Sequence, residues 1–293
     1  VGAREVGSAI ADDEFVVGVE VDGESRAYPL NMLGHPGSEV VNDTLGARPI
    51  AVTFCGLCET PLVFARRVGD RLLTFYVSGM VVESNMLIKD IETGSAWIQL
   101  LGKAVEGPLD GKELARLPSV WTDWKTWRAG HPATTAALLK RGTRKYSITA
   151  VAATASRNQV YQVLQWGLVR GGKARSWPFH ELARQGVVND TFAGVPLLVV
   201  FDAERLSPTG FDRRLGGREL KFRKAGTELV DDATGSVWDA VTGRAVRGPL
   251  SGQTLTAMPG TISKKTTWKA FHRDSEVWKA GAAEPVGEGL DTD

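Results

Sequence analysis

Val40-Val41-Asn42-Asp43-Thr44 and Val187-Val188-Asn189-Asp190-Thr191 are the same five residues, 147 positions apart. The offset of 147 holds for Pro49 and Pro196, for Phe54 and Phe201, and for Phe75 and Phe222. Further on it falls to 141: Thr93-Gly94-Ser95-Ala96-Trp97 answers to Thr234-Gly235-Ser236-Val237-Trp238, Gly107-Pro108-Leu109 to Gly248-Pro249-Leu250, and Trp127 to Trp268. Upstream, Ala27-Tyr28-Pro29-Leu30 aligns with Ser176-Trp177-Pro178-Phe179. Ordered self-similarity over so long a span is the signature of a tandem repeat. It predicts a first repeat over 1–140, a linker over 141–160, a degenerate second repeat over 161–280 and a disordered tail over 281–293.

Each copy reads as mainly β, in an α+β arrangement: two tandem repeats of a mostly antiparallel β domain with short helices. Val16–Glu20 and Ser25–Tyr28 flank Asp22-Gly23, a hairpin turn pair. Ile50–Phe54 is a short apolar strand ending at Cys55. Pro61–Arg66 and Leu72–Val77 flank Gly69-Asp70 and predict a second hairpin. Helix is expected only over Asn31–Leu33, Leu114–Leu117 and Thr122–Ala129, with Trp121, Trp124 and Trp127 forming one apolar helix face. The shared Asn-Asp-Thr is expected to make a turn through side-chain bonds to the backbone. Tyr146–Val151, inside the linker, has the composition of a strand.

The chain has 293 residues, 43% hydrophobic and 24% charged, enough to bury a sizeable core without disulfide staples. Its 35 basic and 34 acidic residues leave a net charge of +1, which argues against nucleic acid as a partner. Gly-x-Gly-x-x-Gly and Gly-x-x-x-x-Gly-Lys fingerprints are absent, so nucleotide binding has no support. No apolar run approaches the length of a spanning helix.

Two copies of one domain permit an internal comparison: shared residues are candidates for scaffold, unshared ones for function. Cys55 and Cys58 are the only cysteines; their counterparts are Asp202 and Arg205, which are expected to form an ion pair in their place. The segment after Phe75 is longer in the first copy and holds Met80, Asn85 and Met86. Gln99 becomes Ala240. Thiols, a methionine-containing loop and a polar glutamine thus disappear together, as one site would. Cys-Gly-Leu-Cys can chelate a metal, cycle between dithiol and disulfide, or anchor haem; Glu59 in place of a following His disfavours haem. A following Thr60-Pro61 and apolar strand suit a β-hairpin knuckle. Its free backbone N–H groups lower thiol pKa values and favour metal. The expected ligands are Cys55, Cys58 and His35, with Met80 and Met86 as weaker thioether candidates. Two thiolates, an imidazole and a thioether favour copper, then zinc. Glu59, Glu83 and Gln99 are the candidates for catalytic polar groups. His131 and His272 follow equivalent tryptophans and read as structural; His180 reads as a surface residue.

These motifs resemble a bacterial family catalogued as domain of unknown function 3179. The resemblance rests on Ala27–Leu30, Val40–Asp43, Val-Thr-Phe-Cys-Gly-Leu-Cys at Val52–Cys58, Val77–Gly79, Ser84–Leu87, Glu92–Gln99 and Gly107–Leu109. That family's knuckle is usually Cys-Pro-Leu-Cys-Gly, and a His usually precedes its Glu-x-Val-Asn-Asp; here Ser38 holds that place, and His35 is expected to serve instead. The resemblance implies an extracytoplasmic home, whether periplasmic, secreted or membrane-anchored. The expected function is copper binding, with copper-dependent oxidoreductase chemistry if a coordination position stays open. The expected partners are a small-molecule substrate or a metal donor or acceptor protein. The rival expectations are a metal-free thiol–disulfide protein, and a binding module whose cysteines are a structural zinc or disulfide clip.

Overall fold

The computed structural model describes residues 1–35, 37–138 and 156–281. Both repeats follow one plan of three four-stranded sheets and a small two-stranded ladder. In the first repeat the hairpin Phe15–Val21 and Glu24–Pro29 is flanked by Val120–Asp123 on one edge and, in parallel, by Thr135–Ala136 on the other. A second sheet runs Arg116–Leu117, Thr60–Ala65, Arg48–Cys55, Val40–Leu45, and a third runs Lys103–Glu106, Ala96–Ile98, Asn85–Asp90, Phe75–Val82. The second repeat reproduces these orders strand for strand. Duplication and a mainly antiparallel β architecture with short helices are thus both present.

Asp22 and Gly23, at φ 52° and 82°, make the hairpin turn that their identity predicts. The Gly69-Asp70 turn closes only the ladder Arg67–Val68 with Arg71–Leu72. Thr60–Ala65 pairs with Arg48–Cys55 instead, and Phe75–Val82 with Asn85–Asp90. Arg116–Leu117 is strand rather than helix. Trp121 also lies on a strand. The helix begins only at Trp124, where the Asp123 carboxylate accepts the Thr126 N–H at 2.6 Å. The linker expected over 141–160 ends early, because Ser156 and Gln159 form a capping box that starts a helix over Arg157–Val163. Tyr146–Val151 and the tail beyond 281 lie outside the described residues.

The Asn-Asp-Thr motif is not a turn. It sits in strands Val40–Leu45 and Val187–Phe192 and fastens sheets together. Asn42 bonds both backbone groups of Phe75, at 2.7 and 2.9 Å, and Asn189 does the same to Phe222, at 2.7 and 2.8 Å. Asp43 accepts from Arg26 and the Tyr28 hydroxyl; Asp190 accepts from Arg175 and the Trp177 indole. Polar groups buried between sheets are thereby satisfied by a planar amide that matches a backbone N–H and C=O pair.

One hydrophobic core spans the two repeats, with Val17, Tyr28, Phe54 and Trp121 from the first meeting Trp166, Trp177, Phe179 and Phe201 from the second. The junction is reciprocal. Edge strand Val120–Asp123 of the first repeat packs on Ser207–Asp212, and its counterpart Thr261–Lys264 packs on Thr60–Ala65. Within each repeat a glycine admits a tryptophan: a Cβ on Gly18 would stand 2.2 Å from the Trp127 ring, and one on Gly167 would stand 2.4 Å from Trp268. Overpacking of this kind typically costs about 1–3 kcal/mol. Gly18→Ala and Gly167→Ala are each expected to lower unfolding free energy by that amount in urea denaturation, and an unchanged midpoint would show that the tryptophans yield.

Candidate dithiol site

Strand Arg48–Cys55 is buried without a break from Ile50 onward, so it delivers Cys55 to the interior. The chain turns through Gly56–Glu59 and returns with Thr60 opposite Cys55. Glu59 takes a left-handed φ of 59°, as does its counterpart Leu206 at 51°, so both repeats keep one loop backbone under different side chains. Leu57 points outward, 54% exposed, whereas Cys55 and Cys58 are 2% and 0% exposed. Both sulfurs are free thiols.

The two thiols are not equivalent. Cys55 is held down to about 7 by a hydrogen bond from the Cys58 thiol, against the cost of burial, with further help from the N–H groups of Cys58, Met86 and Leu57. Cys58 is pushed strongly upward by that same bond, by burial and by the Cys55 charge, against opposing bonds from Thr60 and Asn85. The Asn85 amide donates to Cys58 Sγ at 3.2 Å and to Gln99 Oε1 at 2.8 Å, while its oxygen takes the Leu100 N–H at 2.8 Å. Gln99 in turn donates to Thr53 Oγ1 at 2.9 Å and to the Thr60 carbonyl at 3.0 Å. Every hydrogen of both amides is used, which fixes their orientation and that of Cys58.

The second repeat explains what position 55 requires. Asp202 Oδ1 accepts the N–H groups of Glu204 and Arg205 at 2.9 and 3.0 Å, the counterparts of Leu57 and Cys58. Arg205 Nη1 then pairs with Asp202 Oδ2 at 2.7 Å, the ion pair the sequence comparison predicts. A carboxylate thus fills the same nest of backbone donors as the Cys55 sulfur, and a fixed cation stands where Cys58 stands.

The other candidates are placed as follows. Gln99 is fully buried, but behind Asn85, where it positions the amide rather than facing a substrate. Glu59 is fully buried in the loop. Glu83, exposed, forms the turn of the hairpin Phe75–Val82 and Asn85–Asp90 with Ser84, whose carbonyl is 3.8 Å from Cys55 Sγ. Met86 is buried in the cluster that holds both cysteines, whereas Met80 is 44% exposed on the hairpin. His35 lies in the turn after helix Leu30–Leu33, its carbonyl accepting the Ser38 N–H at 2.8 Å. The expected Cys/Cys/His triad is not assembled: among the described residues no three His, Cys, Asp or Glu side chains are grouped to hold one metal ion. Thr53, Thr60 and the direct contact of Asn85 escape sequence reading, although Asn85 stands out as a polar residue opening an apolar strand in the stretch only the first copy has. The shorter second-repeat hairpin, Phe222–Ala225 and Glu228–Asp231, leaves a cleft of about 620 Å³ beside Asp202 and Arg205.

Comparison with known proteins agrees with this duplicated architecture. The sequence profile described as "Protein of unknown function (DUF3179)" matches residues 2–164 and again 149–285. The chain belongs to the DUF3179 family. Each DUF3179 match takes in one repeat, so the unit the family describes is the single repeat with its three sheets. Neither curated proteins nor solved structures gave a match. Among the described residues of this DUF3179 protein, no helix is long and apolar enough to cross a membrane.

The paired shifts carry a pH signature. Cys55 titrates at about 7 in the fold and at an ordinary thiol's 9.0 when unfolded. Between those values the unfolded thiols hold one proton more than the folded pair, so stability rises with pH. Above them the relation reverses, because Cys58 keeps its proton in the fold. Relative to Cys55→Ser, which keeps Cys58 buried, the wild-type chain is expected to gain stability across that window. A difference that stays flat with pH in chemical denaturation would contradict the assignment of Cys55 as the thiolate.

Proposed function

We propose that this DUF3179 protein is an extracytoplasmic metal-binding protein whose first repeat holds a soft ion between Cys55 and Cys58, with copper in its monovalent state favoured. The observation that carries this reading is the shared nest. The second repeat fills it with a carboxylate and a guanidinium, an anion and a permanent cation. The first repeat fills it with two adjacent buried sulfurs, one of them acidified, and a thiol proton is what a soft monovalent ion displaces. Zinc is less well served, since a structural zinc site takes four donors. Met86, packed in the same cluster as both cysteines, supplies a thioether of the right softness. Asn85 and Gln99 hold Cys58 in place as outer partners commonly hold a metal ligand. Burial of both sulfurs favours carrying an ion over turning over a substrate, so a metal donor or acceptor protein is the partner this reading implies. The extracytoplasmic setting rests on the family resemblance.

A second reading has its own support. An acidified thiol hydrogen-bonded to a strongly protonated one is the arrangement of a dithiol that cycles to a disulfide. Forming that disulfide passes two electrons to a two-electron oxidant and releases the remaining thiol proton. At 2% and 0% exposure the sulfurs admit a small-molecule oxidant more readily than a protein disulfide.

Anaerobic titration of the reduced chain with Cu(I) against a chromophoric chelator separates the two. One ion per chain is expected, lost in Cys55→Ser and in Cys58→Ser, with affinity about 10–100-fold weaker in Asn85→Ala. Failure of the reduced wild-type chain to compete for Cu(I), or equal competition by the serine variants, overturns the metal reading. Alkylation and mass measurement of the protein as isolated reveals a Cys55–Cys58 disulfide if the second reading holds.

A further inference from the structure

The reciprocal junction gives each feature on one side a counterpart on the other, and one pair of counterparts differs sharply. On one side Arg116 reaches from its edge strand into the junction, where its guanidinium donates to the Leu100 carbonyl. It lies beside His272, which burial and then the Arg116 charge pull down to about 4. On the other side the position of Arg116 belongs to Ala257. The backbones match: Arg116 pairs with Phe64, and Ala257 with the equivalent Phe211. Around Ala257 lies a cavity of about 240 Å³, lined by Val241, Leu255 and His131, the counterparts of Leu100, Leu114 and His272. The cavity is the room that a guanidinium fills in the twin repeat.

Its charge is matched to that vacancy. Glu20 and Asp22 line it, and among the described residues no lysine or arginine does. Glu20 Oε2 lies 3.1 Å from His131 Nε2 and keeps 53% of its side chain exposed. The counterpart of Glu20, on the side where Arg116 is built in, is the uncharged Val169. So Glu20, whose neighbour here is His131, is the carboxylate the cavity offers, since Asp22 already faces Arg48 at 3.5 Å; on the twin side the carboxylate near Arg116 is Glu113, whose counterpart Thr254 lines the cavity. Trp127 and Trp166 supply aromatic walls.

We propose that this inter-repeat cavity binds a small organic cation, a guanidinium or primary ammonium group on a short aliphatic stem. The head group donates to the Val241 carbonyl, as Arg116 does to Leu100, and pairs with Glu20; the stem packs on the indoles. The site is separate from the dithiol and holds whether or not that site binds metal.

Calorimetric titration of the full chain with propylguanidinium, and with the neutral propylurea as control, tests this. Saturable binding of propylguanidinium is expected, with no measurable binding of propylurea. Loss of one charge-assisted bond corresponds to about tenfold in affinity. Glu20→Gln is therefore expected to weaken binding about tenfold, and Ala257→Arg to abolish it by placing a tethered guanidinium in the cavity. If Ala257→Arg fails to fold, Glu20→Gln decides alone. Absence of saturable binding, equal binding of propylurea, or wild-type affinity in Glu20→Gln overturns the proposal.

Discussion

Backbone N–H groups at the end of a β-hairpin cannot be left unbonded in a protein interior, and this constraint organises the dithiol site and its counterpart in the second repeat. Strand Arg48–Cys55 ends inside the protein, and the loop that follows turns its N–H groups back on the strand's last side chain. Whatever stands there must accept them and gains from being an anion. The second repeat meets the demand with the Asp202 carboxylate; the first meets it with sulfur. The left-handed residues at 59 and 206 follow from the same loop, since only that turn brings the N–H groups round. The difference between the repeats then reduces to which positive species balances the anion. In one it is a guanidinium fixed in the chain, and in the other it is the proton of the Cys58 thiol.

The loops are held from outside as well as from within. Lys264 donates its backbone N–H to the Cys58 carbonyl at 2.9 Å and its ammonium to the Leu57 carbonyl at 2.7 Å. At the equivalent place Asp123 of the first repeat takes Arg205 Nε at 2.9 Å while also capping its own helix. Each repeat therefore braces the loop of its neighbour through the residue that ends its edge strand. The cysteine loop is braced through its carbonyls, which leaves its N–H groups for the sulfur.

Much of this was legible in the sequence, and the reason is the duplication. Comparing Cys55 with Asp202 and Gln99 with Ala240 located the site and the ion pair that replaces it without any structure. The antiparallel β plan followed from turn chemistry at Asp22-Gly23. Local reading failed where tertiary pairing competes with it. Trp121, Trp124 and Trp127 have helical spacing, yet the sheet takes the first of them because Val120–Asp123 completes an edge. Asn42 reads as a turn former but serves as an amide clamp on Phe75, a contact 33 residues away that no local signal encodes. Strand pairing, not chain proximity, brings Asn85 from the hairpin tip onto the Cys58 sulfur, 27 residues away.

The shared core has a consequence for how such a protein is inherited. A repeat that has lost its thiols appears dispensable, yet Trp166, Phe179 and Phe201 complete the hydrophobic interior of its sibling, and Lys264 holds the sulfur-bearing loop in shape. The repeat without thiols is thus scaffolding for the one that carries them. Divergence after duplication was free to change the side chains of the buried loop in one member, but not to discard the member itself.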